Sequence, residues 1–569
     1  MRQPHGGRLV GTALLALALL AGGCGGGAKK ASPGGTGTAA GIRAIDIDRQ
    51  GRDNVRGGGT LVWALDQFST QWNYNQINGP EASTAAVLSA LLPSPFRFDA
   101  KANASVWADY VTKAVLTSRS PQTVTYTLNP KATWSDGKPI TVRDYEAQWR
   151  ALNGRNPAYQ VASTTGYELV DDVRQGTNDH EVVVRFAKPY ADWRALFSPL
   201  YPAVTNSDPN VFNTGWVNKI SATAGPFRFG GFDQTAKTVT VVRDQSWWGN
   251  PAKLDKIVFK ALESDAGIQA YINGEVDYLP SVTTNPSSYK QVQSARGGVV
   301  REAAGPDFRH FTLNATSPVL SDVRVRRAIA MGIDRAAIAR ADLTGLNWPV
   351  RTMDNHFFVN MQTGYQDNSG QVGRYDPDKA KRLLDEAGWN ASGAGRQKAG
   401  KTLVLRFVIP SGIPTSRNEA ELTQALLKNI GVRVDIQTVP SDDFFDKYIV
   451  PGNFDLTPFS WLGTPFVSSS QSIYLKPSLD ANGQLMIRQN YARVGSDQID
   501  KLLSQAGQEL DPGRSRALFN QADRLIWDEV HSLTIFQRPQ ISGVKKGLAN
   551  LGSFGFASRI YEDIGYQKG

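Results

Sequence analysis

The chain has 569 residues, 41% of them hydrophobic and 20% charged, with a formal net charge of +10 and one cysteine. A chain of this length buries a large core and divides into more than one lobe. A lone cysteine excludes an internal disulfide, and a basic excess without a long basic run or a basic stripe interleaved with aromatics leaves nucleic acid out as a partner.

Met1 to Arg8 carries Arg2 and Arg8 and no acid, Leu9 to Ala21 is almost wholly apolar, and Ala21-Gly22-Gly23 sets small residues before Cys24. That order reads as a signal peptide over residues 1–23. Its apolar stretch is too short for a spanning helix, which needs about 20 residues. The cysteine at the cleavage point resembles a bacterial lipobox, with Ala21 where that pattern usually has Leu or Val. The resemblance implies a diacylglyceryl group on Cys24. Its two acyl chains suffice for an anchor, where one gives only marginal membrane residence. Residues 24–56 then read as the lipidated residue and a flexible tether, rich in Gly, Ala, Thr and Ser, with a reach of about 30 Å. Loss of Arg2 and Arg8 takes the charge from +10 to +8, a mild excess suited to an anionic membrane surface.

The folded part opens at Gly57-Gly58-Gly59 with a buried strand at Thr60–Leu65. The loop Asp66–Pro80 is polar and aromatic, and a loop of that kind leaving a buried strand is a candidate ligand-facing loop. Val124, Tyr126 and Leu128 alternate with threonines and predict a strand. Asp136-Gly137 predicts a tight turn, and Thr141 with Asp144 predicts a capped helix start. Strands and short helices follow at 239–242, 257–259 and 271–279. Asp322 and Asp334 predict caps for two helices. Asp376-Pro377 and Asp511-Pro512 repeat a cap followed by proline in the first turn. The helix after Pro377 should stop at Gly388. Strands are expected at 403–409 and 432–439, with a helix at 422–430 between them. The mixture predicts an α/β or α+β protein with at least two lobes.

Catalysis needs convergent groups, and none stand out. His5, His180, His310, His356 and His531 are scattered singly. There is no zinc-protease, nucleophile-elbow or phosphate-loop motif. Asp171-Asp172 and Asp442-Asp443 are sequence neighbours whose side chains point apart. No ligand spacing supports a metal, and no cofactor is implied. The job that fits is capture of a small ligand without chemistry upon it.

Several blocks carry a family resemblance. Tyr126 to Asp144, with Trp134, Asp136 and Gly137, is one. Ala224-Gly225-Pro226-Phe227, Trp247-Trp248-Gly249 and Tyr271 to Asp277 follow. Asp322 to Arg335 is the most distinctive, and Tyr375 to Trp389 and Phe454-Asp455 with Trp461 complete the series. In this order, over about 57–540, they resemble the family 5 extracellular solute-binding proteins of the peptide/nickel type, the receptors of ABC importers. The resemblance implies a large two-lobed fold of mixed α/β type, like the periplasmic binding proteins, with an extra inserted subdomain. Lobe I would comprise 57–95, 222–308 and 532–569, the insert 96–221 and lobe II 309–531. Crossings near Gly305–Phe311 and His531–Gln540 would form the hinge. The implied ligand is an oligopeptide, held by Asn75, Gln76 and Asn78 from lobe I and by Phe459, Ser460, Trp461, Leu462, Gly463 and Thr464 from lobe II. The implied partners are a membrane permease and its ATPase subunits, with the receptor a monomer on the outer face of the cytoplasmic membrane.

One position departs from the family. Peptide-binding members usually carry an aspartate where Thr464 stands, and that carboxylate pairs the ligand's ammonium. Either Asp66 or another acid supplies the charge, or the ligand lacks a free ammonium. Two other readings stay open: a sugar or glycoside receptor that stacks its ligand on tryptophans such as Trp72 and Trp461, and a lipid-anchored hydrolase on the same scaffold.

Overall fold

Thr60–Leu65, the apolar run after three glycines, is a strand in the computed structural model, which describes residues 41–282 and 285–569. The expected signal peptide, Cys24 and the first part of the tether lie outside the described residues. The strand runs parallel to Lys256–Ala261, with Trp63 opposite Phe259. Trp63 is wholly buried. Tyr278 meets its ring edge-on at 4.6 Å and Phe259 lies 5.4 Å away, a contact set that removes a large apolar surface from water.

Among the described residues a ten-stranded sheet runs through the whole molecule. Its order is Arg433–Val439, Val404–Pro410, Leu456–Leu462, Gly298–Leu313, Ser532–Lys545, Tyr278–Leu279, Thr60–Leu65, Lys256–Ala261, Thr238–Arg243 and Phe227–Asp233. The two long central strands join its halves. Gly298–Leu313 and Ser532–Lys545 are antiparallel, from Gly298 opposite Lys545 to Thr312 opposite Ser532, and the register breaks between Ala304 and Phe308 and between Arg309 and His310. At one end they pair with Leu456–Leu462, at the other with Tyr278–Leu279. Such breaks leave ladder groups unpaired and increase the local twist. Each half has its own core. One gathers Leu61, Trp63, Tyr126, Trp216 and Phe259; the other gathers Phe311, Ile329, Leu384, Phe407 and Leu533.

Residues 96–221 carry a separate antiparallel sheet in the order Val111–Arg119, Gln122–Leu128, Glu181–Phe186, Val170–Gln175. The alternation read in the sequence is real: Val124, Tyr126 and Leu128 are buried and the intervening threonines half-buried. Helix Val142–Leu152 has the expected capping box, with the Asp144 carboxylate accepting the Thr141 N–H at 2.9 Å. The carboxylate's other oxygen accepts the Ala203 N–H at 2.8 Å, so the cap also pins a distant segment. Asp322, Asp334, Asp376 and Asp511 each accept a first-turn N–H of the helix they precede.

Two expectations need correction. The flexible tether does not extend to residue 56. Ile42 packs on Ala304 and Met361, Asp46 forms a bridge with Ser553, and Val55 is fully buried beside Gln567. Arg301 pairs with Asp46 at 3.2 Å and with Asp48 at 2.7 Å. Isoleucines at 42, 45 and 47 and two acids facing Arg301 give this stretch a place on the body that its average composition concealed. The helix expected at 422–430 starts at Pro414 and ends at Lys428. Its polar first half hid it, because Ser416 and Glu419 are turned inward to meet Arg309.

Candidate functional site

The 96–221 segment touches the half that holds Leu456–Leu462 at several points. The Phe98 ring meets Phe466 edge-on at 5.4 Å. Ser468 donates its N–H to the Asp192 carboxylate at 2.9 Å. Ala191 N–H reaches the Gly507 carbonyl at 2.8 Å, and Thr363 N–H reaches that of Lys101 at 3.1 Å. Together they bound a cavity of about 270 Å³, whose walls include Phe98, Asp192, Arg194, Phe358, Phe466 and Arg516. Burial pushes the Asp192 carboxyl above its ordinary pKa and pulls the Arg194 guanidinium below its own. Both shifts mark a place where water is scarce and charge is expensive.

The predicted residues at 459–464 run straight into this wall. Leu456–Leu462 pairs with Asp307–Leu313. Phe459 is buried edge-on to His310 at 4.2 Å. Trp461 is half-buried, with the rings of Tyr491 and His310 nearly parallel to it, each at 5.9 Å. Ser460 holds a buried hydroxyl without a partner, and Leu462 is exposed. Gly463 N–H donates to the Pro306 carbonyl at 2.8 Å, and a Cβ there would lie 2.5 Å from that oxygen, so only glycine fits. The Thr464 hydroxyl accepts the Phe466 N–H at 3.0 Å, and its carbonyl accepts from Gln362 Nε2 at 2.9 Å. Thr464 therefore shapes the turn that delivers Pro465, Phe466 and Val467 to the cavity.

Asn75, Gln76 and Asn78 sit differently. Gln76 is buried, accepts the Asn78 N–H at 2.7 Å and donates to Gln160 at 3.2 Å. The Asn75 carbonyl accepts from Ala162, and its Nδ2 is buried without a partner. Asn78 is exposed. Their hydrogen bonds run to the 96–221 segment, and among the described residues none joins them to 459–464. Asp66 follows the first strand and is exposed. Trp72 is 1% exposed and packs against Phe232 at 5.4 Å, so it has no free face for a sugar.

His310, His356 and His531 are engaged within the fold. His310 Nε2 lies 3.0 Å from the Thr312 hydroxyl, and burial beside Arg309 holds its pKa well below the usual range. His531 is pushed down to about 3, chiefly by burial. His356 bridges Asp523 at 2.7 Å and the Ser532 carbonyl at 3.1 Å. Among the described residues no three histidine, cysteine or acidic side chains gather to hold a metal ion, and no helix is long and apolar enough to cross a membrane. Sequence reading missed Phe98, Asp192, Arg194, Phe358 and Arg516. Arg194 and Arg516 are hundreds of residues apart, and no local pattern links them.

Two halves joined by two long strands, with a cavity where they meet, define a receptor that captures a ligand between lobes. The chain belongs to the bacterial extracellular solute-binding proteins, family 5, whose middle region matches residues 109–482. It is 39% identical over 531 residues to the oligopeptide-binding protein OppA of Mycobacterium tuberculosis, covering 92% of this chain and 87% of that one. Among solved structures, the periplasmic EDTA-binding protein EppA superposes with a TM-score of 0.81 at 27% identity, over 93% of this chain and all (100%) of EppA. The oligopeptide-binding protein AppA of Bacillus subtilis, solved with a nonapeptide, gives a TM-score of 0.67 at 17% identity over 90% of this chain and 100% of its own. The fold is the two-lobed one of periplasmic binding proteins, and the family is one of substrate-binding proteins of ABC importers.

Proposed function

We propose that this protein captures oligopeptides in the cavity between its halves, leaves their bonds intact, and hands them to an ABC permease. The observation that carries the reading is the cavity itself, bounded by contacts that only two approaching halves can make, in a chain 39% identical to an oligopeptide-binding protein. Lobe I is 57–95, 222–308 and 532–569, the insert is 96–221 and lobe II is 309–531, with the hinge at the register breaks of the two crossing strands. Phe459 to Thr464 form the strand and turn that deliver Pro465, Phe466 and Val467 to the lobe II wall. From lobe I, Asn75, Gln76 and Asn78 stand outside the cavity lining and tie their loop to the 96–221 segment. A diacylglyceryl group on Cys24 keeps the monomer on the outer face of the cytoplasmic membrane. The sugar reading loses support because Trp72 is buried and Trp461 is flanked by protein rings. Calorimetry against a library of short peptides tests the proposal. Saturable binding at micromolar affinity or better is expected, with peptides recovered intact. Absence of binding below about 100 µM, or cleavage of the bound peptide, rejects it.

A further inference from the structure

Residues 42–48 lie where the two halves are joined. They are fastened first to the half whose core includes Leu551 and Phe554. Asp46 and Ser553 exchange backbone hydrogen bonds of 2.8 and 2.9 Å. The Asp46 carboxylate accepts from Arg301 at 3.2 Å and from the Glu302 N–H at 3.1 Å, and the Asn550 N–H donates to the Asp48 carbonyl at 3.1 Å. The stretch then meets the crossing strand Gly298–Leu313. Ala304 donates its N–H to the Arg43 carbonyl at 2.8 Å, at the edge of the register break between Ala304 and Phe308. Gly555, at φ 59°, lies against this contact, and a Cβ there would fall 2.7 Å from the Ala44 carbonyl oxygen and 2.9 Å from that of Ala304. Ile42 is 4% exposed and packs on Ala304 and on Met361, with Trp348 against the same cluster. Trp348 also packs on the core of the other half. The Met361 N–H donates to Gln537 Oε1 at 3.2 Å, and Gln537 Nε2 donates to the Gly305 carbonyl inside the break at 2.6 Å.

The two ends of this stretch are held by different forces. Hydrogen bonds and the Arg301 ion pairs fix Asp46 and Asp48 to one half, whereas Ile42 grips Met361 and Trp348 of the other by apolar contact. A turn of the halves about the register break shifts Met361 against the anchored stretch and returns part of Ile42 to water. Apolar burial favours a state in proportion to the area it covers, so the arrangement that covers Ile42 is favoured. That cover stands together with the contacts across the cavity, Phe98 on Phe466 and Ser468 on Asp192. We propose that residues 42–48 are a brace across the hinge, anchored on one half through Asp46 and Asp48 and gripping the other through Ile42. The brace holds the halves toward their closed arrangement and so sets the affinity for whatever the cavity captures. It rests on closure of the halves and not on a peptide being the ligand.

The test is pulsed electron resonance without ligand, on Cys24→Ser protein spin-labelled through Lys113→Cys on the strand Val111–Arg119 and Lys428→Cys at the end of the helix Pro414–Lys428. Ile42→Ala, Ile42→Leu, Met361→Ala and the double alanine variant are compared with the parent, and thermal unfolding of each checks that it folds. Ile42→Ala should lower the ratio of short to long distances by about fivefold, and Ile42→Leu should keep it within about twofold. Met361→Ala should act in the same direction. The double alanine variant should lose no more than the larger single loss, because the two side chains serve one contact. With a peptide that the wild type binds, calorimetry should show Kd raised by the same factor in Ile42→Ala, with the distance at saturation unchanged. An unchanged ligand-free distribution in a folded Ile42→Ala variant overturns the brace, as do fully additive losses in the double variant, and both leave the peptide reading standing. Failure of every peptide to bind the wild type removes the peptide reading, while the ligand-free distances still decide the brace.

Discussion

Replacing Asp192 with alanine removes the one carboxylate that bonds across the cavity. Its oxygen accepts the Ser468 N–H at 2.9 Å, and the two residues belong to the 96–221 segment and to the opposite half. A hydrogen bond to an ionised acceptor contributes about 1.5–3 kcal/mol. In the open protein both groups regain water, and the raised Asp192 pKa shows that burial already opposes the ionised form. The net bias toward closure is therefore about 1–2 kcal/mol, a factor of roughly 5–30 in the closed-to-open ratio. Since ligand is held in the closed form, the apparent Kd should rise by the same factor. Titration calorimetry with a peptide that the wild type binds measures it, with thermal unfolding as a check on the fold. Asp192→Asn keeps an acceptor oxygen and should lose less. Wild-type affinity in the alanine variant, or an asparagine variant weaker than the alanine one, refutes the reasoning.

Stability should fall with acid. His531 and His310 are buried with depressed pKa values, His531 at about 3, so the unfolded chain binds more protons below about 6.5. Their contribution is full above that pH and is lost as pH falls toward 3, at up to about 1.4 kcal/mol per group per pH unit. Urea midpoints from pH 7 to 4 measure this, and a flat profile contradicts it. Glu419 is fully buried against Arg309, with Asp342 a second acid facing the same guanidinium, so Glu419→Ala removes the bonded one of two acids and should destabilise by about 1–3 kcal/mol, read from the same urea titration. Asp46→Ala removes the pair with Arg301 and the acceptor of the Glu302 N–H. It should destabilise by about 1–2 kcal/mol, and an unchanged melting temperature would mean that the 42–56 segment adds nothing to the fold.

Local devices were legible in the sequence. Asp322, Asp376 and Asp511 announce their helices because a short acceptor before the first turn has one favoured use. The threonine alternation around Tyr126 announces its strand because period two leaves one face to bury. The family blocks likewise stand in the chain as continuous strings. What stayed hidden depends on partners far away in sequence. Ser416 and Glu419 read as surface until Arg309 claims them, and Asp46 and Asp48 read as tether until Arg301 does. Near the site, 459–464 is legible as one continuous strand and turn, and it leads to the cavity wall at Pro465, Phe466 and Val467. Gln76 was taken for a ligand contact although its amide is consumed by Gln160 and the Asn78 N–H. Arg194 and Arg516 share a cavity only through tertiary structure.

Closure on a ligand can be watched directly, because Cys24 is the sole cysteine and Cys24→Ser frees the chain for spin labels. Lys113→Cys on the strand Val111–Arg119 and Lys428→Cys at the end of the helix Pro414–Lys428 place exposed labels on the two sides of the cavity. Pulsed electron resonance should give a broad distance distribution without peptide and a single, shorter one at saturation. Identical distributions with and without a peptide whose binding calorimetry has established would contradict capture by closure.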